Sequence, residues 1–170
     1  MIRSRRRFLW AGAASLAVAA SAQAQEASLP AWVTVDSAAR VVQIRLEAAG
    51  DSTPALNGHH HGSAQLVVPL GWTVKWEWIN RDSTFRHSLV VMAEREKIPP
   101  EGGRPAIDNA MSRAVTSGLA PGARDLTTFT ADPPGWYWLL CGVPGHAIRG
   151  EWIGLKIDRE ATGVSVRLRP

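Results

Sequence analysis

Hydrophobic and polar residues alternate with a period of two along several short segments of the chain. The alternation is clearest in residues 72–79, where three Trp residues and Val74 fall on one face of an extended strand. We predict further strands at residues 41–47, 65–69, 87–93, 126–130, 136–140 and 152–157, and a weaker edge strand in the tail 158–170. Five Trp side chains of these strands are expected in the core: Trp72, Trp76, Trp78, Trp136 and Trp138.

The segments between these strands have the composition of turns and loops. Residues 48–63 lack periodicity and are predicted to form a loop, and residues 94–124 are rich in Pro, Gly and charged residues. The second segment is too long for a simple connection, so we expect local structure in it, including a short helix at residues 107–115. About seven short strands separated by turn signals predict an all-β fold, a β-sandwich or a barrel.

The charges of the chain are concentrated at its start. Four of the 19 Lys and Arg residues lie in residues 1–24, which contain no acidic residue. An apolar run and the small residues Ala22-Gln23-Ala24 follow, which is the layout of a cleaved secretory signal. Its sequence SRRRFL, from Ser4 to Leu9, resembles the twin-arginine export signal of bacteria. We expect cleavage after Ala24, a single domain over residues 25–170 and a periplasmic location; an uncut membrane anchor is the alternative.

The charge balance after cleavage argues against a nucleic-acid partner. Removal of residues 1–24 would leave 15 basic and 15 acidic side chains, and no basic stripe is present in the remainder. No other segment reaches the ~20 apolar residues that a membrane-spanning helix needs. We therefore expect neither nucleic-acid binding nor a transmembrane span in the mature chain, which we expect to be a monomer.

The single Cys of the chain stands in a segment with metal-binding character. A lone Cys in an oxidising compartment is a buried inert thiol, one half of an intermolecular disulfide, or a metal ligand. Cys141 and His146 flank a short loop, CGVPGH, and His87 opens a predicted strand. One thiolate and two imidazoles form the trigonal ligand set of blue copper sites, which a weak axial ligand completes.

These residues resemble those of the cupredoxins, and among them the sulfocyanins and rusticyanins. The resemblance rests on RHSLVV around His87 and on CGVPGHAIRGEW, which begins at Cys141, and it runs from about residue 65 to residue 157. It implies a Greek-key β-sandwich with one copper ion, Cu(I) or Cu(II), near one end. It also implies that His87, Cys141 and His146 are the equatorial copper ligands.

The fourth ligand is where this chain departs from the family pattern. Members usually have Met five residues after the second His, whereas this chain has Glu151 there. Met92 cannot easily replace that Met, because it lies five residues after His87 on a predicted extended strand, well away from the site. Three interpretations are open. The Glu151 carboxylate coordinates copper axially, or it turns outward to pair with Arg149 or another base, or copper is no longer bound.

The resemblance implies a carrier of single electrons between redox partner proteins, with His146 as the partly exposed ligand where electrons enter and leave. Val143, Pro144, Ala147 and Ile148 would form an apolar rim around it. A second hypothesis is a mononuclear copper enzyme with a carboxylate ligand, as in red copper proteins. A coupled second copper is disfavoured, since Leu140 and Gly142 stand where related oxidases have His beside the copper-binding Cys.

A third hypothesis is copper handling by a His-rich loop. His59, His60 and His61 are consecutive and flanked by Gly, and His-rich tracts can capture metal ions. Consecutive side chains diverge, however, so a solvated loop is the simpler interpretation.

Overall fold

The computed structural model describes residues 29–50 and 53–169, and the predicted export signal at residues 1–24 lies outside them. The described residues form ten strands and no helix. The strands are β1 (Val33–Asp36), β2 (Val41–Ala49), β3 (Ala55–Leu56), β4 (Ala64–Pro69), β5 (Thr73–Asn80), β6 (Val90–Ala93), β7 (Arg124–Thr130), β8 (Gly135–Leu140), β9 (Trp152–Asp158) and β10 (Ser165–Leu168). In the described part of the chain, no helix is long and apolar enough to cross a membrane.

The strands form two five-stranded sheets. The first has the order β1-β2-β5-β7, with β3 paired to β2, and the second has the order β10-β4-β9-β8-β6. Both sheets are mixed, because β2 runs parallel to β5 and β4 runs parallel to β9, whereas the other neighbours are antiparallel. The predicted all-β sandwich is confirmed, and so is the edge strand in the tail, which is β10.

The core lies between the two sheets and follows from the period of two. Trp76 and Trp78 of β5 are almost completely buried, as predicted, and they pack with aliphatic side chains that β2, β4 and β9 point inward. Trp72 is also buried in this core, whereas Trp138 is buried in a separate apolar cluster with Leu140 and Ala147. The prediction for Trp136 is wrong, because this side chain is 47% exposed. Its ring lies under the Lys156 ammonium, 5.0 Å from ring centroid to nitrogen.

The predicted helix at residues 107–115 does not form. Its backbone pairs instead with the segment around β6, through Val91 N–H to Ala110 C=O and Ser112 N–H to Leu89 C=O. Asn109 and Ala114 have positive φ angles of 64° and 51°, which a right-handed helix cannot contain. Local propensity was outweighed by pairing with a distant strand.

Two other boundaries differ from the prediction in ways that affect the site. The strand predicted at residues 87–93 begins only at Val90, and His87 makes an isolated bridge with Leu119 instead. The segment 48–63 is not wholly a loop, because β2 extends to Ala49 and pairs there with β3.

Candidate metal centre

The loop between β8 and β9 carries three of the predicted site residues. Cys141 follows the last residue of β8, and its backbone N–H donates to the C=O of Glu151, which precedes β9. The backbone N–H of Glu151 in turn donates to the C=O of His146. Gly150, at φ 109°, turns the chain back, and a Cβ there would lie 2.5 Å from Nε2 of His61. The loop is therefore closed at its base, with all three side chains held on a short, hydrogen-bonded segment.

His87 lies next to this loop although it is 54 residues before Cys141 in the sequence. The backbones of His87 and Leu119 exchange two hydrogen bonds, with N···O distances of 3.2 and 2.7 Å. The next residue, Ser88, continues toward β6, which pairs with β8. Its hydroxyl accepts from Gly142 N–H and donates to Val115 C=O. Pairing between β6 and β8 thus brings His87 beside Cys141.

The four side chains that the sequence analysis singled out converge. One donor atom from each of His87, Cys141, His146 and Glu151 lies within 4.8 Å of all the others. Nδ1 of His87 lies 2.8 and 2.9 Å from the two carboxylate oxygens of Glu151 and 3.3 Å from Nδ1 of His146. Sγ of Cys141 lies 3.6 Å from Nδ1 of His146 and 3.9 Å from Nδ1 of His87.

All four residues are buried, and this burial shifts the pKa values of Cys141 and His87. Burial, followed by the negative charge of Glu151, raises the pKa of the Cys141 thiol well above its usual range. Burial alone would lower the pKa of His87, but the hydrogen bonds and charges of Glu151 and Asp82 outweigh it and raise that pKa. In the metal-free protein, Cys141 is therefore a neutral thiol and His87 retains its proton to higher pH than an ordinary histidine.

Two polar contacts around the cluster were not predicted from the sequence. The backbone N–H of Ser88 donates to Sγ of Cys141, with N···S 3.4 Å. Oδ2 of Asp82 lies 3.3 Å from Nε2 of His87, on the side of the ring away from the cluster. The sequence signal was slight, since Asp82 lies in a predicted turn and Ser88 in a predicted strand.

The outward orientation considered for Glu151 is wrong. Its side chain has no solvent exposure, and its ion-pair partners in the described part of the chain are His87 and His146 rather than Arg149, which is exposed. The carboxylate faces the imidazoles because the backbone of Glu151 is hydrogen-bonded to the backbones of both Cys141 and His146.

The predicted rim around His146 is only partly correct. Ile148 is 56% exposed and Pro144 is exposed, but Ala147 is fully buried and packs with Trp138 and Leu140. The expected partial exposure of His146 is wrong, because this side chain is buried, with 6% exposure against 1% for His87. The surface next to the cluster is therefore made by Val143, Pro144 and Ile148.

The three consecutive His residues do not join this cluster. Within residues 29–50 and 53–169, the group of converging donor side chains contains none of them. His59 contacts the ring of Trp32, and the His61 backbone N–H donates to Gly150 C=O. The backbone of His61 therefore supports the loop that carries Glu151.

The donor set fits one copper ion. A thiolate and two imidazole nitrogens suit copper, and a carboxylate oxygen can complete the coordination. The four donor atoms face one another in a buried space with no competing Lys or Arg among the described ion pairs of Glu151. A cation at this point would satisfy the carboxylate and the imidazole lone pairs together.

The two mixed sheets and a His-Cys-His cluster at the end of β8 define a cupredoxin, a β-sandwich protein with one copper ion. The Sulfocyanin (SoxE) domain model matches residues 29–165, and the chain belongs to that family. This confirms the resemblance seen in the sequence.

Sequence relatives and solved structures agree with this assignment. Rusticyanin of Acidithiobacillus ferrooxidans is 32% identical over 102 residues, covering 57% of this chain and 51% of that protein. Sulfocyanin of Sulfolobus acidocaldarius is 31% identical over 113 residues, covering 62% and 56%. The chain thus spans about half the length of these relatives. Auracyanin A of Chloroflexus aurantiacus, a "blue" copper protein, shares the fold at TM-score 0.51, with 22% identity over 69% of this chain and 99% of that one.

Metal binding to the metal-free protein should release protons and tighten as pH rises. Binding requires the thiolate of Cys141, so the metal must displace the proton of a thiol whose pKa is raised. At pH values below the raised pKa of His87, the metal must also displace a proton from that imidazole. Each proton released makes affinity rise about tenfold per pH unit. Anaerobic Cu(I) titration against a competing chelator from pH 5 to 8 measures this slope.

The His60→Gln variant is the control, because His60 is exposed and outside the cluster, so its slope should equal that of the wild type. An affinity that does not change with pH in the wild type would contradict the protonation states assigned to Cys141 and His87.

Proposed function

We propose that this protein carries single electrons between redox partners through one copper ion held by His87, Cys141 and His146, with Glu151 as the fourth ligand. The observation that supports the proposal is the convergence of four buried donor atoms within 4.8 Å. Copper, when bound, supplies a one-electron couple between Cu(I) and Cu(II).

The donor types of the chain suit neither oxidation state alone. The Cys141 thiolate is a soft ligand that favours Cu(I), and the imidazoles of His87 and His146 serve both states. The carboxylate of Glu151 is a harder donor than the usual Met thioether and favours Cu(II). We therefore expect a lower reduction potential than a Met ligand in the same site would give.

Hydrogen bonds around the cluster hold these ligands in place. The Ser88 N–H donates to the Cys141 sulfur, and the Ser88 hydroxyl ties Gly142 to Val115. Cys141 and Glu151 are joined by a backbone hydrogen bond at the base of the loop. Ligands that do not move on electron transfer keep reorganisation small, which suits a carrier.

The burial of the cluster favours a carrier over the copper enzyme considered above. A catalytic metal site keeps an open position that a substrate can reach, whereas Glu151 has no exposure and His87 is 1% exposed. Electrons need no such opening. We propose that they pass through the edge of His146 and the neighbouring surface formed by Val143, Pro144 and Ile148, on which a redox partner docks briefly.

The proposed location is the periplasm, reached through the twin-arginine route. The proposal rests on SRRRFL at Ser4–Leu9, on the apolar run that follows and on the Ala22-Gln23-Ala24 site. Export in a folded state would suit a protein that must acquire its metal in a formed site. In this proposal the mature protein is the single domain 25–170, a monomer.

The ligand assignment predicts distinct spectra for three forms of the protein. With one equivalent of Cu(II), the wild type should show an intense thiolate-to-copper band that Cys141→Ser abolishes. Glu151→Met should change the EPR hyperfine splitting and raise the reduction potential, because a softer ligand favours Cu(I). Visible and EPR spectroscopy with voltammetry measures all three.

Identical spectra and potentials for the wild type and Glu151→Met would remove Glu151 from the ligand set. A wild type without any thiolate band would overturn the electron-carrier proposal as a whole.

The docking proposal predicts that charge at Ile148 slows electron exchange. Ile148→Lys should leave the visible spectrum unchanged but reduce the electron self-exchange rate about tenfold, because like charges meet when two copies approach through this surface. NMR line broadening in mixtures of oxidised and reduced protein measures the rate. Leu168→Lys, at a side chain of similar exposure (60%) on the edge strand β10, should have no effect; equal slowing by both variants would contradict the proposed route.

The export proposal predicts that the Arg pair is required. Replacement of Arg5 and Arg6 by Lys should leave an uncleaved precursor in the cytoplasm of a bacterial host, whereas the wild type yields a periplasmic form that begins at Gln25. Cell fractionation and N-terminal sequencing check both statements. Export of the Lys variant at the wild-type level would exclude the twin-arginine route.

A further inference from the structure

Asp82 is a buried carboxylate aimed at the cluster from outside it. Its side chain has no solvent exposure. Oδ1 accepts hydrogen bonds from the backbone N–H groups of Thr84 and Phe85, both at 2.7 Å, and Oδ2 lies 3.3 Å from Nε2 of His87. The backbone N–H of Asp82 donates to Oδ1 of Asn80. Both carboxylate oxygens are therefore held, and one of them is directed at a predicted copper ligand.

The contact determines which nitrogen of His87 keeps its proton when a metal ion binds in the cluster. An ionised carboxylate only accepts hydrogen bonds, so the Nε2 that faces Asp82 must be the donor. Nδ1 faces the cluster instead, 2.8 and 2.9 Å from the two Glu151 oxygens and 3.3 Å from Nδ1 of His146, and a metal ion that replaces its proton there leaves the Nε2–H tautomer. This is the tautomer that can bind a metal ion inside the cluster.

We propose that Asp82 is a positioning residue of the copper site, which orients the His87 ring and holds the proton on Nε2 so that Nδ1 is free to bind the metal. The inference rests on the proposed function and extends it to a residue that does not itself touch the metal. The hydrogen bond from Nε2 of His87 to the Asp82 carboxylate also makes Nδ1 a stronger electron-pair donor to the metal, which favours Cu(II) over Cu(I).

The Asp82→Asn variant tests this proposal because an amide cannot replace both oxygens. The oxygen of Asn can accept from Thr84 and Phe85, but its NH₂ group then faces the Nε2–H of His87, and two donors oppose each other. In the flipped orientation, the NH₂ group opposes the backbone N–H groups instead. The repulsion between the two donors is relieved if the His87 proton moves from Nε2 to Nδ1, but Nδ1 is the atom that must be free to bind the metal.

We expect Asp82→Asn to weaken Cu(II) binding by about 10- to 100-fold and to alter the EPR hyperfine splitting. Cu(I) binding should weaken less, so the potential should rise, by about 59 mV for each tenfold change in the ratio of the two dissociation constants. Chelator competition, EPR and voltammetry give these values. A purely structural role would lower the thermal stability of the metal-free form without changing the ratio or the splitting.

Asp125→Asn is the matched control. Asp125 is also a buried Asp that accepts from a backbone N–H, that of Arg113, but none of its hydrogen bonds reaches the cluster. Its copper affinity and hyperfine splitting should equal those of the wild type. Equal copper affinity and splitting in Asp82→Asn and wild type would overturn the inference.

A second measurement decides the question on the wild type, whether or not the variant folds. A long-range ¹H–¹⁵N NMR spectrum of the Cu(I) form should show His87 metal-bound at Nδ1, with an Nε2 proton shifted downfield as a hydrogen bond to a carboxylate requires. An unprotonated Nε2, or an Nε2 proton without that shift, would overturn the inference while leaving the copper site intact. A wild type without a thiolate-to-copper band would instead overturn the proposed function, and this inference with it.

Discussion

The site is organised around a buried carboxylate that needs a positive charge. Glu151 has no solvent exposure, and its ion-pair partners among the described residues are His87 and His146. A buried anion without a cation costs several kcal/mol, which is comparable to the whole free energy of unfolding of a typical domain. The raised pKa of His87 lets that imidazole compensate the charge by holding a proton, and a metal ion compensates it while also binding the thiolate. The electrostatics of Glu151 thus couple the metal, both histidines and Cys141.

The sandwich supplies the rigidity that this arrangement requires. Cys141 and Glu151 stand at the facing ends of β8 and β9, and their backbones are hydrogen-bonded, so the loop between them has little freedom. His87 is held by its bridge to Leu119 and by the segment that leads into β6. Residues from two distant parts of the sequence are therefore fixed to neighbouring strands of one sheet, and the donor atoms have few alternatives to facing one another.

Prediction from the sequence succeeded where a signal is local and periodic. Trp76 and Trp78 were placed in the core by the period of two alone, because neighbouring side chains on a strand point to opposite faces. It failed where a distant strand competes with local preference, as in the segment 107–115, whose backbone pairs with residues around β6. Trp136 was misplaced because it lies on the face of β8 opposite to Tyr137 and Leu139, which face the core between the sheets, and periodicity alone does not show which face is inward.

The all-β class and the loop from Cys141 to Glu151 could be predicted from the sequence, because they depend on periodicity and short spacing, and the resemblance to the cupredoxins singled out His87, Cys141, His146 and Glu151 as candidate donors while leaving the direction of Glu151 open. The inward direction of Glu151 and the contact between Asp82 and His87 became visible only in the folded structure. Glu151 and His87 are 64 residues apart, so their contact depends on how the sheet pairs its strands. Asp82 and His87 are five residues apart, yet the contact between them requires the turn closed by Thr84 and Phe85. The direction in which a side chain points depends on such hydrogen bonds, which no spacing pattern records.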